Sequence, residues 1–191
     1  RTNNNSLTLQ AGRDVNLTAA QVDNAGTGGT RIDATNGNLN LATVTTSESE
    51  RIYRDARNGF STSSSNEIGS SINGTGNIAL SAGKDVNARA ADVNSQTGAL
   101  SVQAGNDINI QAGTSTRDTT VDAYQKQGGF LSSKKTTEHQ DTQTQTSVAS
   151  NFTGATVALS AGHDAAITGS NVISDTQTSI SAGNDVNIIA A

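Results

Sequence analysis

The fold is decided by one stretch, Leu159-Ser160-Ala161-Gly162-His163-Asp164, because close copies of it recur along the chain. The copies occupy residues 9–14, 80–85, 102–107 and 180–185. Apolar and polar residues alternate on both sides of the copies, and a period of two is typical of half-buried strands. We therefore predict a repeating unit of strand, tight turn and strand, in which the glycine supplies a backbone conformation that residues with a Cβ resist.

The distance between copies predicts how these units are arranged. The glycine of the phrase recurs at Gly83 and Gly105, and again at Gly162 and Gly183. A period in the low twenties that is built from short strands indicates a solenoid, where each repeat buries its apolar face on the next. We predict an all-β fold, a right-handed parallel β-helix with about 21–22 residues per coil. Its hand follows from the usual hand of parallel crossovers.

Two sets of residues are assigned to this scaffold. The structural turns are formed by Gly12, Asp14, Gly83, Asp85, Gly105, Asp107, Gly162, Asp164, Gly183 and Asp185. Each of these aspartates is expected to accept backbone N–H groups in its turn. The residues expected to point into the coil are Val15, Leu17, Val86, Ile108, Ile110, Ile167, Val186 and Ile188.

The composition agrees with a β-helix and excludes several other classes of protein. Hydrophobic residues make up 32% and aromatic residues 3% of the chain, which suits a narrow column of stacked aliphatic side chains better than a two-layer core. The absence of cysteine excludes a disulfide framework and cysteine-based metal sites. No apolar run approaches the roughly 18 residues of a membrane helix, and no signal-peptide pattern opens the sequence. Because both ends fall within the strand pattern, we expect a fragment of a longer protein.

The regular period is interrupted twice within a single β-helix spanning residues 1–191. Two coils are assigned to each of residues 1–44, 76–113 and 154–191. The inserts between them, residues 45–75 and 114–153, are predicted to leave the coil path as extended antiparallel β-hairpins, with a turn signal at Asn58-Gly59 in the first. Each insert precedes a two-coil block, so the hairpins are expected to lie close enough to pair or stack.

The inserts carry the chemical variety of the chain. All five aromatic residues are assigned to them, namely Tyr53, Phe60, Tyr124, Phe130 and Phe152. One interpretation is that these rings close an apolar seam between each hairpin and the rod, because burying an aromatic ring stabilises a fold by about 2–3 kcal/mol. The alternative is a partner-contact surface formed by Tyr53, Phe60, Tyr124 and Phe130.

The repeated phrase resembles the haemagglutinin repeats of filamentous haemagglutinin-type proteins. These are exoproteins of two-partner secretion systems, which include adhesins and the CdiA toxins of contact-dependent growth inhibition. The likeness is carried by residues 80–87, 102–110, 159–164 and 180–188, and the inserts, with residues 128–133, resemble a later repeat block of the same family. The sequence departs from the usual pattern at Asn36-Gly37 and at Ala165-Ala166.

The resemblance implies a right-handed β-helical rod that an outer-membrane two-partner secretion transporter exports to the surface of a Gram-negative cell. In the toxin branch, this block resembles a region implicated in delivering a C-terminal toxin, so the implied partner is a target-cell surface or receptor. We therefore expect a secreted, non-catalytic rod or stalk segment that displays or delivers a distal adhesive or toxin activity. A host-receptor-binding adhesin module and a polysaccharide-cleaving β-helix enzyme are the alternatives.

The residues give less support to calcium binding, glycoside hydrolysis and nucleic-acid binding. The Gly-x-Asp turn is similar to calcium-binding nonapeptide rolls, but the second glycine is absent and the period is more than twice as long. Two carboxylate pairs, Asp118 with Asp122 and Glu48 with Glu50, have a spacing that a glycosidase could use. His163 occupies the turn slot where other copies carry Arg13, Lys84 or Asn106, which indicates a surface role. The net charge of −5 argues against nucleic-acid binding, and no cofactor or metal is expected.

Overall fold

A computed structural model describes residues 5–190, and within this range the chain is built from strands and turns without any helix. None of the described residues therefore forms a helix that could cross a membrane. The first ten strands are β1 (Leu7–Ala11), β2 (Val15–Thr18), β3 (Gln21–Asn24), β4 (Thr30–Ala34), β5 (Leu39–Ala42), β6 (Val44–Asp55), β7 (Asn58–Ile68), β8 (Ser71–Gly74), β9 (Ile78–Ala82) and β10 (Val86–Arg89). The others are β11 (Asp92–Ser95), β12 (Ala99–Ala104), β13 (Ile108–Gln111), β14 (Gly113–Gly129), β15 (Ser132–Val148), β16 (Asn151–Ala161), β17 (Ala165–Thr168), β18 (Asn171–Ala182) and β19 (Val186–Ile189).

The predicted parallel β-helix is confirmed, and a full coil contains three strands. The strand before each turn pairs in parallel with its counterparts, as β1, β4, β9 and β12 do. The strands after the turns form a second parallel sheet in the order β19-β17-β13-β10-β5-β2. A third strand, such as β3, β8 or β11, completes the coil, and the long strands β16 and β18 run from this third position into the first position of the next coil.

The core is a set of aliphatic columns that run from coil to coil. One column contains Leu9, Ile32, Leu80, Val102, Leu159 and Ile180, which face each other in the strand registers. Its four middle members are almost completely buried, because each is covered from both sides along the stack. This arrangement explains how a chain with few large side chains still forms an apolar interior.

The predicted inward residues follow the same rule. Val86, Ile108, Ile110 and Ile167 are buried, and Val15 and Leu17 are partly buried against the same core. Val186 and Ile188 differ, with exposures of 46% and 65%. They align with Ala165 and Ile167 of the preceding coil, but no described coil lies on their other side.

The third strands were missed by the sequence analysis, which assigned Phe152 to an insert. Phe152 is fully buried and lies between Val93 and Val172 in the strand registers, so it is a core residue of the coils. Ile72 is buried in the same column. The segments around Ile72 and Phe152, residues 71–74 and 151–154, do not contain the Ala-Gly-x-Asp phrase, which is why they were assigned to the inserts.

Two compact units result from these contacts. The coils form one unit of residues 1–44, 67–113 and 147–191, and the hairpins form another of residues 45–66 and 114–146. Residues 67–75 and 147–153 therefore belong with the coils, and the hairpin segments are shorter than the predicted inserts.

The turn glycines have a different physical role from the one predicted. Among the described glycines, Gly169 alone has a positive φ, of 58°, so the turn glycines are not there for a left-handed backbone. They allow close stacking instead. A Cβ added to Gly105 would lie 2.3 Å from the carbonyl oxygen of Gly83, and one on Gly162 would lie 2.1 Å from that of Gly105.

The turn aspartates also act between coils. Asp107 Oδ1 accepts the backbone N–H of Asp164 at 3.0 Å, and Asp164 Oδ1 accepts that of Asp185 at 3.0 Å. Asp14 accepts the N–H of Asn38, and Asn38 in turn accepts that of Asp85. The prediction that the aspartates accept backbone N–H groups within their own turns was therefore wrong for Asp14, Asp85, Asp107 and Asp164, each of which supports the next coil.

The chain leaves the second strand of a coil in one of two ways, which alternate from coil to coil. In three coils it is turned by a residue with positive φ, namely Ala19, Ala90 or Gly169. In the two coils between them the chain instead continues into a hairpin strand, β6 or β14. Where the hairpins return, the buried hydroxyl groups of Ser70 and Ser150 bridge coils: Ser150 donates to Gln111 O at 2.7 Å and accepts from Ala91 N at 2.9 Å.

Candidate contact surface on the hairpin sheet

The two hairpins combine into one four-stranded antiparallel sheet with the order β15-β14-β7-β6. Strands β7 and β14, which come from different hairpins, pair in antiparallel register from Asn66 opposite Ser115 to Gly59 opposite Asp122. This confirms that the inserts form hairpins that lie close enough to pair. Strands β6 and β15 are the edges of the sheet.

The turn of the first hairpin lies two residues before the predicted Asn-Gly position. It is formed by Ala56 and Arg57, between the end of β6 and the start of β7. The Asp55 carboxylate fixes this turn, because it accepts the Arg57 N–H at 2.8 Å and the Asn58 side-chain amide at 2.7 Å. These bonds, the Arg57 N–H first, lower the pKa of Asp55 from its usual value.

Tyr53 lies across the glycine that the sequence assigned to the turn. A Cβ on Gly59 would come within 2.8 Å of the Tyr53 ring, so the absence of a side chain leaves room for the ring to lie on β7. Tyr53 is still 65% exposed, and the Arg51 guanidinium lies 5.9 Å from the centre of its ring. Gly59 is therefore required for close packing within the sheet.

Tyr124 is held by the turn of the other hairpin. Its backbone N–H donates to Asn58 Oδ1 at 2.7 Å, and the Arg57 guanidinium lies 4.6 Å from the centre of its ring. Contacts of this kind between a cation and an aromatic face stabilise by about 0.5–1 kcal/mol at exposed sites. The second hairpin is thus attached to the turn of the first by Arg57 and Asn58, contacts that the sequence analysis did not predict. The sequence pattern that could have predicted this turn is Asp55 two residues before Arg57, which is typical of aspartate-stabilised turns.

Both tyrosines line one cleft of about 420 Å³ in the hairpin sheet. Its lining consists of Tyr53, Asp55, Ala56, Arg57, Asn58, Gly59, Asp122, Tyr124, Thr137 and Glu138. We call this site the tyrosine cleft. It offers two aromatic rings beside carboxylate and guanidinium groups, a set of side chains that can combine stacking with polar recognition.

The two phenylalanines assigned to the same surface are placed differently. Phe60 on β7 is half-buried opposite Val121 of β14 and contributes to the packing of the sheet. Phe130 lies in the turn of the second hairpin and is fully exposed, as is its neighbour Leu131 at 93%. Of the four residues assigned to a partner-contact surface, Tyr53 and Tyr124 therefore line the tyrosine cleft, whereas Phe60 and Phe130 do not.

A histidine joins the two strands of the second hairpin. His139 on β15 contacts Asp122 of β14 through Nδ1 at 2.5 Å and Asp141 through Nε2 at 2.9 Å. The hydrogen bond with Asp122, followed by that with Asp141, raises the pKa of His139 above its usual 6.5. The pKa of Asp141 is lowered by its bonds with Thr120 and then with His139.

The two candidate carboxylate pairs differ in their separation. Asp118 and Asp122 lie four residues apart on β14, a separation of about 13 Å along an extended strand and beyond the range that such enzymes use. Asp122 is moreover bonded to His139. Glu48 and Glu50 are about 7 Å apart by the same geometry, and both are exposed on the edge strand β6.

His163 lies among carboxylates at the turns of the coils. Its Nδ1 atom is 3.3 Å from Asp107 Oδ1 and 3.1 Å from Asp164 Oδ2. These three residues offer ligand atoms close enough together for a cation. Asp107 Oδ1 already accepts the Asp164 N–H and therefore stabilises the stacking of these two turns.

Comparison with known proteins agrees with the repeat architecture. Residues 53–191 match the family described as hemagglutinin repeat. The chain is 30% identical over 124 residues to a protein of Escherichia coli (strain STEC_O31) named tRNA nuclease CdiA, and the matched part is 65% of this chain but 3% of that protein. No solved structure matches the chain. The family match extends from the first hairpin through the last coil and covers more than half of the chain. The chain therefore belongs to the hemagglutinin repeat family.

Proposed function

We propose that this segment is a non-catalytic rod section of a secreted surface exoprotein, and that it displays or delivers an adhesive or toxin activity located elsewhere in that protein. The observation that carries the proposal is the continuity of the stack. The apolar columns run from coil to coil, and the turns are linked by hydrogen bonds to Asp14, Asn38, Asp85, Asp107 and Asp164, so each coil supports the next. A scaffold of this kind suits the spacing of other activities along a rod.

The relative's name and length support the same proposal. The matched protein is named as a tRNA nuclease, and this chain spans 3% of its length. In such a protein the nuclease activity would then belong to a part outside the repeat. Export through an outer-membrane two-partner secretion transporter, and contact with a target-cell surface, belong to the same proposal.

The test is a deletion that keeps the coils in phase within the full-length exoprotein. Gly83 and Gly162 are equivalent, so removing residues 84–162 joins Gly83 to His163 and recreates the turn phrase. We expect surface display and the distal activity to survive. Removing residues 84–151 instead joins Gly83 to Phe152, destroys the phase and serves as the control. Loss of the distal activity by a protein that is still displayed normally would contradict a spacer role.

A second candidate, an adhesin module, is favoured by the tyrosine cleft. Its two aromatic rings lie beside charged groups on a surface that is not needed for the coil core. The variants Tyr53→Ala and Tyr124→Ala would lower binding of the isolated segment to target cells if the cleft makes the contact. Binding should be measured to bacterial and to eukaryotic cells in parallel, with Phe130→Ala as an exposed aromatic control. A panel of glycans tests the enzyme alternative, since release of reducing or unsaturated ends would contradict a non-catalytic segment.

A further inference from the structure

We propose that one face of the hairpin sheet binds an extended glycan chain that carries no acidic groups. This inference rests on the second candidate function, an adhesin module, and it names the class of ligand that the tyrosine cleft would take. The residues concerned alternate along β6, β7 and β14, so their side chains share one face of the sheet. We call it the hydroxyl face, and its residues are Ser47, Ser49, Arg51, Tyr53, Gly59, Ser61, Ser63, Ser65, Thr116, Asp118, Thr120, Asp122 and Tyr124.

The strand register places these residues side by side. The pairs across β7 and β14 are Ser65 with Thr116, Ser63 with Asp118, Ser61 with Thr120 and Gly59 with Asp122. Tyr53 lies over Gly59, which puts the alternate residues of β6 on the same face. Because these side chains lie on a face of the sheet, a strand that paired with either edge would leave them accessible.

Three cavities follow one another along the hydroxyl face. The tyrosine cleft, of about 420 Å³, is at the end nearest the turn of the first hairpin. The second cavity, of about 390 Å³, contains Arg51 and Ser61, each two positions from a residue of the cleft. The third, of about 260 Å³, shares Ser49, Ser63 and Asp118 with the second. Together they form a groove about 20 Å long at the rise of a strand, which suits a chain better than a compact molecule.

The hydroxyl groups in this groove are available to a ligand. Within the part of the chain that the structure describes, no hydrogen bond to another protein group is made by the side chains of Ser47, Ser49, Ser61, Ser63 and Ser65. The Asp118 carboxylate has no partner there either. A hydroxyl group can both donate and accept, so this row matches a ligand that presents many polar groups along its length.

A glycan fits these groups better than a peptide does. The inner strands β7 and β14 are paired on both sides, so a chain lying on the face cannot gain the main-chain hydrogen bonds by which extended peptides bind to sheets. A saccharide chain presents hydroxyl groups along its edges and C–H groups on its faces. Its hydroxyl groups match the serines and Asp118, and its C–H faces match the rings of Tyr53 and Tyr124 at the end of the groove.

The charges of the groove select among glycans. Its two cations are Arg51 and Arg57, which lie 5.9 Å and 4.6 Å from the centres of the Tyr53 and Tyr124 rings. The carboxylates that line the three cavities are Glu48, Glu50, Asp55, Asp118, Asp122 and Glu138. This excess of negative charge repels sulfated or uronic-acid chains, whereas neutral and amino-bearing chains are accepted.

An array of immobilised neutral, amino-bearing and acidic oligosaccharides of increasing length tests the ligand class with the whole chain. We expect binding to neutral or amino-bearing members, with an affinity that rises with length until the ligand spans the groove. Acidic members of equal length should not bind. Binding to no member, or binding of acidic members at least as strong as that of the others, overturns the proposal.

Two variants test the groove itself on the longest glycan that binds. Asp118→Ala removes a carboxylate where the second and third cavities meet, and Tyr124→Ala removes a ring of the cleft. Each should lower the affinity at least about tenfold, since a hydrogen bond to a charged group or a stacked ring contributes that much. The matched control is Arg117→Ala, an exposed neighbour on the opposite face of β14, and it should leave the affinity unchanged. Circular dichroism of each variant checks that the sheet remains folded.

The outcomes separate this inference from the adhesin function on which it rests. Loss of binding with Tyr124→Ala alone would limit the site to the cleft and overturn the extended groove, as would equal effects of Asp118→Ala and Arg117→Ala. Adhesion to cells through Tyr53 and Tyr124 without binding to any glycan would leave the adhesin function standing and overturn the glycan ligand. Binding to glycans without adhesion to cells would support the ligand class and contradict the adhesin function.

Discussion

The coils and the hairpin sheet are both made of strands, but they are stabilised in different ways. In the coils, side chains such as Leu80 and Ile108 are almost completely buried between neighbours above and below. In the hairpin sheet, the edge strands β6 and β15 bury almost nothing, and the contacts are backbone pairing and local polar bonds. Sequence repetition is therefore needed where coils stack, whereas the hairpins can vary as long as their strands still pair.

The largest expected effect comes from placing a charge inside an aliphatic column. Ile108→Asp should prevent folding, because an unpaired carboxylate would be buried between Val86 and Ala165. Circular dichroism and resistance to protease report the outcome. The matched change Gln143→Asp lies on the exposed edge of the hairpin sheet and should alter the free energy of unfolding by no more than about 0.5 kcal/mol. Equal effects of the two variants would contradict the proposed difference between the regions.

A smaller effect is expected from adding one methyl group to a stacked turn. Gly105→Ala would place its Cβ 2.3 Å from Gly83 O, so the coils must separate locally and stability should fall by about 1–3 kcal/mol. Gly12→Ala, in the first copy of the same phrase, has no atom within 4 Å of the added Cβ and is the control. Denaturant unfolding of both proteins measures the difference. If the two alanines cost the same, conformation rather than stacking would explain the glycine.

The buried serine at the hairpin return gives an effect of similar or smaller size. Ser150→Ala removes a bridge between Gln111 O and Ala91 N and leaves two backbone groups without this partner, at a cost of about 1–3 kcal/mol. Ser147→Ala, three residues earlier and exposed, should be nearly neutral. Thermal unfolding of the two variants compares them. No destabilisation by Ser150→Ala would show that water replaces the hydroxyl group.

The sequence predicted the coils well because stacked coils place equivalent residues above one another, so the same motif recurs in each coil. The phrase around Gly105 and Gly162 recurs, and recurrence was sufficient to infer stacking, inward residues and the two interruptions. It did not show why Gly105 is needed, since a close approach to another coil cannot be read from one turn. It also missed the column of Ile72, Val93 and Phe152, because that column has no shared phrase.

The hairpin sheet was less accessible to sequence reasoning. Tyr53 and Tyr124 were singled out as aromatic residues, but the contacts that bring them to one cleft were not predicted. Arg57 and Asn58 act there through a turn fixed by Asp55, while the Asn-Gly pair had suggested a turn two residues later. Contacts between two hairpins that are far apart in the sequence leave no periodic signal in the chain.

The smallest effect concerns the pH response of the hairpin sheet. The pKa of His139 is raised by Asp122 and Asp141, so the protonated imidazole stabilises the folded hairpin. This contribution is fully present below the unfolded pKa of about 6.5, and it is lost as the pH rises through the higher folded pKa. Amides near His139 should therefore lose hydrogen-exchange protection across that window, while amides of the coil strand β13 should not. NMR titration of the imidazole should give a midpoint above 6.5, and His139→Gln should abolish the pH response. A midpoint at or below the usual value would contradict the bridge between β14 and β15, and a parallel loss in β13 would show that the response is not confined to the hairpins.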